Sequence, residues 1–230
     1  MTIEGKTVRL RPGRDELGEL YTVANGEPDA VDVPLELALH ARITPIGLAE
    51  RVLRAAVDGG RTEGIPDDPT ALPPKRTRAG AIIVRDGMVP LIKYLTPHGE
   101  LRYEIPGGGV EEGEDLHATL AREITEETGM TGRAVRHIAT VYRTSERFPG
   151  LYLDHYFLAE AEGEFGPLET LDLDAGMEPV WVPLADVVSL PVWPRRIRWR
   201  IAHWHAHGWP ETPLVLADRN AADLAAPCHW

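Results

Sequence analysis

Cysteine is almost missing from this chain: one residue, Cys228, occurs in 230. That excludes a disulfide within the chain and any zinc cluster built on cysteine. An excess of positive charge is also missing. Lys and Arg number 24 against 36 Asp and Glu, a net charge of −12. Broad nucleic-acid binding needs a basic surface, so a nucleic-acid partner is not expected. A phosphate-bearing small molecule is not excluded, because bound cations reverse the local sign. No apolar run approaches the ~18 residues of a membrane span. The start, Met-Thr-Ile-Glu-Gly-Lys, has no secretory apolar segment. The expectation is a cytoplasmic protein with no membrane partner. Its 43% hydrophobic and 26% charged residues suit a globular core.

The chain reads as four parts. Residues 1–60 form an α-rich extension: Thr7–Leu10 suggests a strand, and Leu17, Leu20, Tyr21 and Ala24 suggest a helix from Asp15 to Ala24. Thr44-Pro45 suits a second helix start, and Gly59-Gly60 its end. Residues 61–75 are a proline-rich linker with Pro66, Pro69, Pro73 and Pro74. Residues 76–208 follow as the main domain, and 209–230 as a tail that pattern does not determine. In the main domain Gly80–Val84 and Val89–Tyr94 flank Asp86-Gly87, the signature of a tight hairpin. Strands are expected at 101–105, 134–143, 151–160 and 179–182. Asp115 as N-cap and Gly129 as stop frame a helix from Leu116 to Thr128. Pro194 and Gly208 frame a last helix with an apolar stripe of Ile197, Ile201 and Trp204.

The helix at 116–128 carries the chemistry. Residues on a helix turn by about 100° each. Glu127 therefore lies about 40° to one side of Glu123, and Glu126 about 60° to the other. Leu116, Leu120 and Ile124 make a separate stripe for packing on a sheet. Three carboxylates in one sector repel one another unless a cation neutralises them, and Mg²⁺ or Mn²⁺ prefers such oxygen ligands. The run Gly107-Gly108-Gly109 lets backbone come close to a metal or phosphate. Arg122, four residues before Glu126, can orient the acids.

The joint spacing is specific. Gly108, then five residues, Glu114, then seven residues, Arg122-Glu123-Ile124, then Glu126-Glu127, Gly129 and Met130 resembles the Nudix box at every position. The looser resemblance runs from Arg76 to Ala206. It implies an α/β/α sandwich around a mixed sheet and Mg²⁺-dependent hydrolysis of a diphosphate linkage. The substrate would be a nucleotide-type small molecule, an NTP or a nucleoside diphosphate joined to another group. By position Glu123, Glu126 and Glu127 match the family's metal-binding glutamates, and Gly107 a carbonyl ligand. Gly108, Glu114, Arg122 and Gly129 match residues that support the box. The family's base is a box glutamate or one from a later loop. Glu178 is the preferred later candidate, with Glu164 and Glu169 as competitors. The alternative to hydrolysis is a ligand sensor or interaction module that keeps the fold.

Substrate contacts are less legible. Tyr103, Arg143, Tyr152 and Trp193 could stack on a base or hold a phosphate. Arg196, Arg200, His203 and His207 form a basic stripe on the last helix, read as a solvated face. His205 points away from His203 and His207, which excludes a three-histidine zinc site there. Thr7–Pro12 and the helix expected after it resemble the first strand and helix of GNAT acetyltransferases, but the acetyl-CoA pyrophosphate loop is missing. Residues 1–60 are therefore read as a structural, capping or dimerising extension, with a homodimer as the possible assembly. Isopentenyl-diphosphate isomerases share the implied fold but use a catalytic cysteine, and Cys228 lies far from the box.

Overall fold

The structure is a computed structural model that describes residues 6–15, 18–24, 27–38, 43–44, 48, 52, 74–145 and 151–220. The chain divides into two compact units. One comprises Met1–Lys75, Thr140–Tyr152 and Leu214–His229; the other comprises Arg76–Ala139 and Leu153–Pro213.

The first unit is built on β1 (Thr7–Asp15), β2 (Gly18–Val23), β3 (Val31–Pro34), α1 (Leu35–Ala38) and β4 (Ile43–Thr44). The strands form one sheet in the order β3-β1-β2-β4. Val8, Leu10 and Val33 are buried while their neighbours Thr7, Arg9 and Asp32 are exposed, the two-residue period of a half-buried sheet. The helix expected over Asp15–Ala24 is instead β2, and the α-rich reading of this region is corrected with it. So is the strand–helix pair on which the acetyltransferase resemblance rested. Gly18 and the β-branched Thr22 and Val23 are weak helix formers. Pairing with β1, from Leu10↔Val23 to Asp15↔Gly18, takes the backbone into a ladder. Thr44, expected as a helix cap, lies in β4. Of the helix expected after it only Leu48 and Val52 are described, both helical. The expected linker lies outside the described residues apart from Pro74 and Lys75.

The second unit contains β5 (Arg76–Ile83), β6 (Met88–Leu95), β7 (Leu101–Glu104), β8 (Gly107–Gly109), α2 (Leu116–Thr128), β11 (Glu178–Pro183), β12 (Val192–Trp193) and α3 (Arg195–His207). It also holds most of β9 (Thr131–Ser145) and β10 (Leu151–Glu162). In one sheet β9, β10, β5 and β8 are neighbours in that order; a second has the order β11-β6-β7-β12. The β5–β6 hairpin turns at Asp86-Gly87, whose φ angles of 52° and 73° fit the primed turn that the dipeptide favours. Ala79, Ala81, Ile83, Phe157 and Ala159 point to the side that α2 covers with Leu120 and Ile124.

The last helix differs from expectation on one face. Arg196 and Arg200 are fully buried, not solvated. Backbone carbonyls take part of their helix's charge inward: Arg198 donates to Leu190 O at 2.8 Å and Arg200 to Arg196 O. Arginine stems are apolar, so spacing alone does not separate a wet arginine from a packed one. The tail also contains β13 (Leu214–Asn220), where Leu214 and Leu216 are buried and Val215 is exposed. No described helix is long and apolar enough to cross a membrane.

Candidate active site

The helix that bears the glutamates has both ends held. Asp115 Oδ1 accepts from the N–H groups of His117 and Ala118 at 2.9 and 2.8 Å. Gly129 ends the helix with φ 75°, and a Cβ there would stand 2.6 Å from Gly166 N. The exposed carbonyls of the last turn are also taken: Thr128 O accepts from Gly166 N–H at 2.9 Å and Glu126 O from Asp172 N–H at 2.8 Å. With Leu120 and Ile124 buried on the sheet, the helix cannot rotate without losing core contacts, so the directions of Glu123, Glu126 and Glu127 are set.

Across from the helix runs the glycine strand β8. It pairs with β5 in the register Arg78↔Gly109, Ala79↔Gly108, Gly80↔Gly107. Gly107 has φ 147°, and a Cβ on it would sit 2.1 Å from Ala79 O. A Cβ on Gly108 would sit 2.1 Å from Glu123 Oε1. At Gly107 glycine is therefore a steric requirement, because backbone lies where a side chain would be; at Gly108 the atom met is the end of a flexible side chain.

Arg122 ties strand, loop and helix together. Its Nε donates to Glu114 Oε1 at 2.8 Å, and Nη2 to Glu114 Oε2 and Gly109 O, both at 3.0 Å. Its Nη1 donates to Glu123 Oε1 at 2.8 Å and Glu126 Oε2 at 2.7 Å. Every N–H of the guanidinium thus has a partner. Glu114 also accepts from Thr119 Oγ1 at 2.9 Å and from Glu111 N–H at 3.2 Å. These bonds, Arg122 foremost, hold the Glu114 carboxyl down at about 2.

Glu127 is the opposite case. Its Oε2 accepts from Gly107 N–H at 2.7 Å. Burial pushes its carboxyl up to about 7; the Arg78 charge and the Gly107 bond pull against this, while Glu123 and Glu104 add to it. Burial also raises Glu123, with Arg122 opposing. Among the described residues no three acidic, histidine or cysteine side chains converge as a ready-made ion cage. Each box carboxylate has a protein partner instead. Those bonds use Glu123 Oε1, Glu126 Oε2 and Glu127 Oε2, one oxygen from each. The second oxygens take no part in these three bonds and are hard donors of the type that Mg²⁺ or Mn²⁺ prefers.

Several of the other candidates have partners of their own. Glu178 starts β11, in register with Lys93 of β6, and its Oε1 accepts from Lys93 Nζ at 2.7 Å. Glu164 is exposed and pairs with Arg85, and Glu169 lies exposed in a short 3-10 turn at Leu168–Thr170. Trp181 packs between Arg85, at 4.5 Å, and Phe165, stacked at 5.1 Å. Tyr103 is buried in β7 beside Lys93 and Val192. Arg143 sits 4.7 Å over the Tyr152 ring, and both belong to the first unit. Trp193 is buried in β12.

Sequence reading missed Arg78. It lies outside the box, and nothing in its local pattern marks it. Its Nε donates to Gly107 O at 3.0 Å and its Nη2 to Ile105 O at 3.1 Å, with a further short bond from Nη2 to Gly107 O. The carbonyl expected to meet a metal thus already faces a guanidinium.

Known proteins are similar to this chain in sequence and fold. A Bacillus subtilis ADP-ribose pyrophosphatase is 33% identical over 109 residues, covering 47% of this chain and 58% of that protein. A CMP-5'-(N-acetyl-N-hydroxy-3-aminopropyl)phosphonate hydrolase of Streptomyces rubellomurinus is 36% identical over 89 residues, covering 38% of this chain and 41% of that protein. The chain spans about half the length of these curated relatives. A crystal structure of a mutator MutT protein from Bacillus halodurans has the same fold, with a TM-score of 0.50 and 24% identity over 65% of this chain and 92% of that one. The family model for the NUDIX domain matches residues 74–204, more than half of the sequence, and the chain belongs to the Nudix family.

Proposed function

We propose that this chain is a pyrophosphohydrolase that cleaves a diphosphate linkage in a nucleoside diphosphate joined to another group, using Mg²⁺ or Mn²⁺. One observation carries the reading. A single arginine, Arg122, fastens the glycine strand, Glu114 and two box glutamates, while Glu127 is tied to the same strand through Gly107. The names of both relatives describe hydrolases of nucleotide compounds, which supports the substrate class.

Glu123, Glu126 and Glu127 would hold the cation; the Gly107 carbonyl, expected as a further ligand, accepts two bonds from Arg78 instead. When bound, it polarises the phosphoryl oxygens, lowers the pKa of water and offsets charge on the leaving phosphate. The protein supplies position and proton transfer. Arg122 keeps Glu123 and Glu126 from separating, since its Nη1 donates to both. A water attacks one phosphorus and passes its proton to a carboxylate. Glu127 is the box candidate, held in place through its Oε2 by the Gly107 N–H. Glu178, held by Lys93, is the later candidate.

The test is release of phosphate or nucleotide from a panel of (d)NTPs, nucleotide sugars, ADP-ribose, dinucleoside polyphosphates, coenzyme A and NADH. Glu127→Gln should lower kcat by roughly a hundredfold or more, and chelation of the metal should abolish turnover. Glu178→Gln separates the two bases: full activity assigns the proton to the box. ¹⁸O-water locates the P–O bond that breaks. Tight binding of a panel member with no turnover would favour a sensor and sink the hydrolase reading.

A further inference from the structure

Arg78 stands 29 residues before Gly107 in sequence, on the neighbouring strand β5. Its guanidinium binds carbonyls of two different peptide units: Ile105 O at 3.1 Å and Gly107 O at 3.0 Å. Between them lies the Pro106–Gly107 peptide. That peptide's carbonyl accepts from Ala81 N–H at 2.8 Å, and its N–H donates to Glu127 Oε2 at 2.7 Å. One planar cation therefore pins the peptides on both sides of the one that holds Glu127. Glycine needs such an outside brace, since it has little conformational preference of its own.

The surroundings keep Arg78 charged. Burial pulls its pKa down, but Tyr156, Glu104, Asp154 and Glu127 more than offset this, and the net direction is upward. Glu104 is itself held by Tyr94, whose Oη donates to Glu104 Oε1 at 2.8 Å. Glu104 acts on Arg78 through its charge alone.

We propose that Arg78 is a positioning residue of the hydrolytic site: it braces the Ile105–Gly107 loop so that the Gly107 N–H holds Glu127 in place for the cation. This inference rests on the metal-dependent reading above. Lysine cannot substitute fully, because an ammonium lacks the planar fork that spans two carbonyls.

The sign of the effect separates positioning from simple charge. Arg78 is a cation beside a cation site. If it were only a nearby charge, its removal would tighten Mn²⁺ binding. If it is a brace, removal weakens it. The experiment is Mn²⁺ binding to the substrate-free full chain, read by the free-ion EPR signal, for the unaltered protein, Arg78→Lys and Arg78→Ala. Thermal unfolding establishes that each variant is folded. R78A should bind Mn²⁺ about tenfold more weakly, the scale at which residues behind metal ligands act. R78K should fall between, and it carries the test alone should R78A not fold. Where turnover is measured, kcat should fall more than KM rises. Equal or tighter Mn²⁺ binding by folded variants overturns the brace alone. No Mn²⁺ binding by the unaltered chain overturns the metal-dependent reading and this inference together.

Discussion

The box helix and the N-terminal sheet lie in one chain but obey different rules. Around α2 the charged residues are bonded to one another and to backbone: Asp115 caps, Arg122 gathers Glu114, Glu123 and Glu126, and Glu127 reaches across to Gly107. On β1 and β3 Thr7, Arg9, Arg11 and Asp32 are exposed, and the ion pair between Arg9 and Asp32, at 3.2 Å, is more than half exposed on both sides. The first region is over-determined by mutual bonds. The second is held by its ladder and a few buried aliphatics. Substitutions should therefore matter by region, not by residue type.

The largest effect is expected at Gly107. Alanine there would drive a Cβ to 2.1 Å from Ala79 O, a backbone atom that cannot swing away, at a φ of 147°. Gly107→Ala should cost on the order of 3 kcal/mol or prevent folding, as measured by urea unfolding. A loss below about 0.5 kcal/mol would mean that the glycine strand is looser than described.

A smaller effect should appear on the sheet beside the helix. His155 Nδ1 lies 3.4 Å from His137 Nε2, which itself faces Ala139 O at 3.0 Å. Burial, then the neighbouring His137, pulls His155 down to about 4, while Asp154 opposes. The folded chain thus binds this proton less readily than the unfolded chain, whose histidine titrates near 6.5. Stability from this group is complete above pH 6.5 and is lost as the pH falls from there to about 4. His155→Gln should flatten that part of the pH–stability curve. Curves that stay parallel between pH 6.5 and 4 would contradict the burial of this histidine.

The smallest effect belongs to the N-terminal sheet. Arg9→Ala should change stability by less than about 0.5 kcal/mol, because water and salt screen an exposed pair. A larger loss would show that this sheet is as tightly determined as the box.

Some of this was legible beforehand. Asp115, Gly129, Pro194 and Gly208 delimit their helices as the residue types require. Asp86-Gly87 makes its hairpin, and the helical angles of Glu123, Glu126 and Glu127 follow from spacing alone. Other features were not. Leu17, Leu20, Tyr21 and Ala24 fit a helix, but Gly18–Val23 pairs with β1 instead, because a short window does not reveal its partner. Arg196 and Arg200 looked solvated and are buried.

By itself, the sequence determined what is local: caps, turns, the period of the box helix and the acids that ride on it. Those depend on residues a few positions apart, whose geometry the backbone dictates. Only the tertiary structure decided that Arg78 binds a loop 29 residues away and that Glu178 goes to Lys93. It also decided that desolvation raises the half-buried Glu127 while Arg122 holds Glu114 ionised. Burial and long-range hydrogen bonds exist only once distant strands have met.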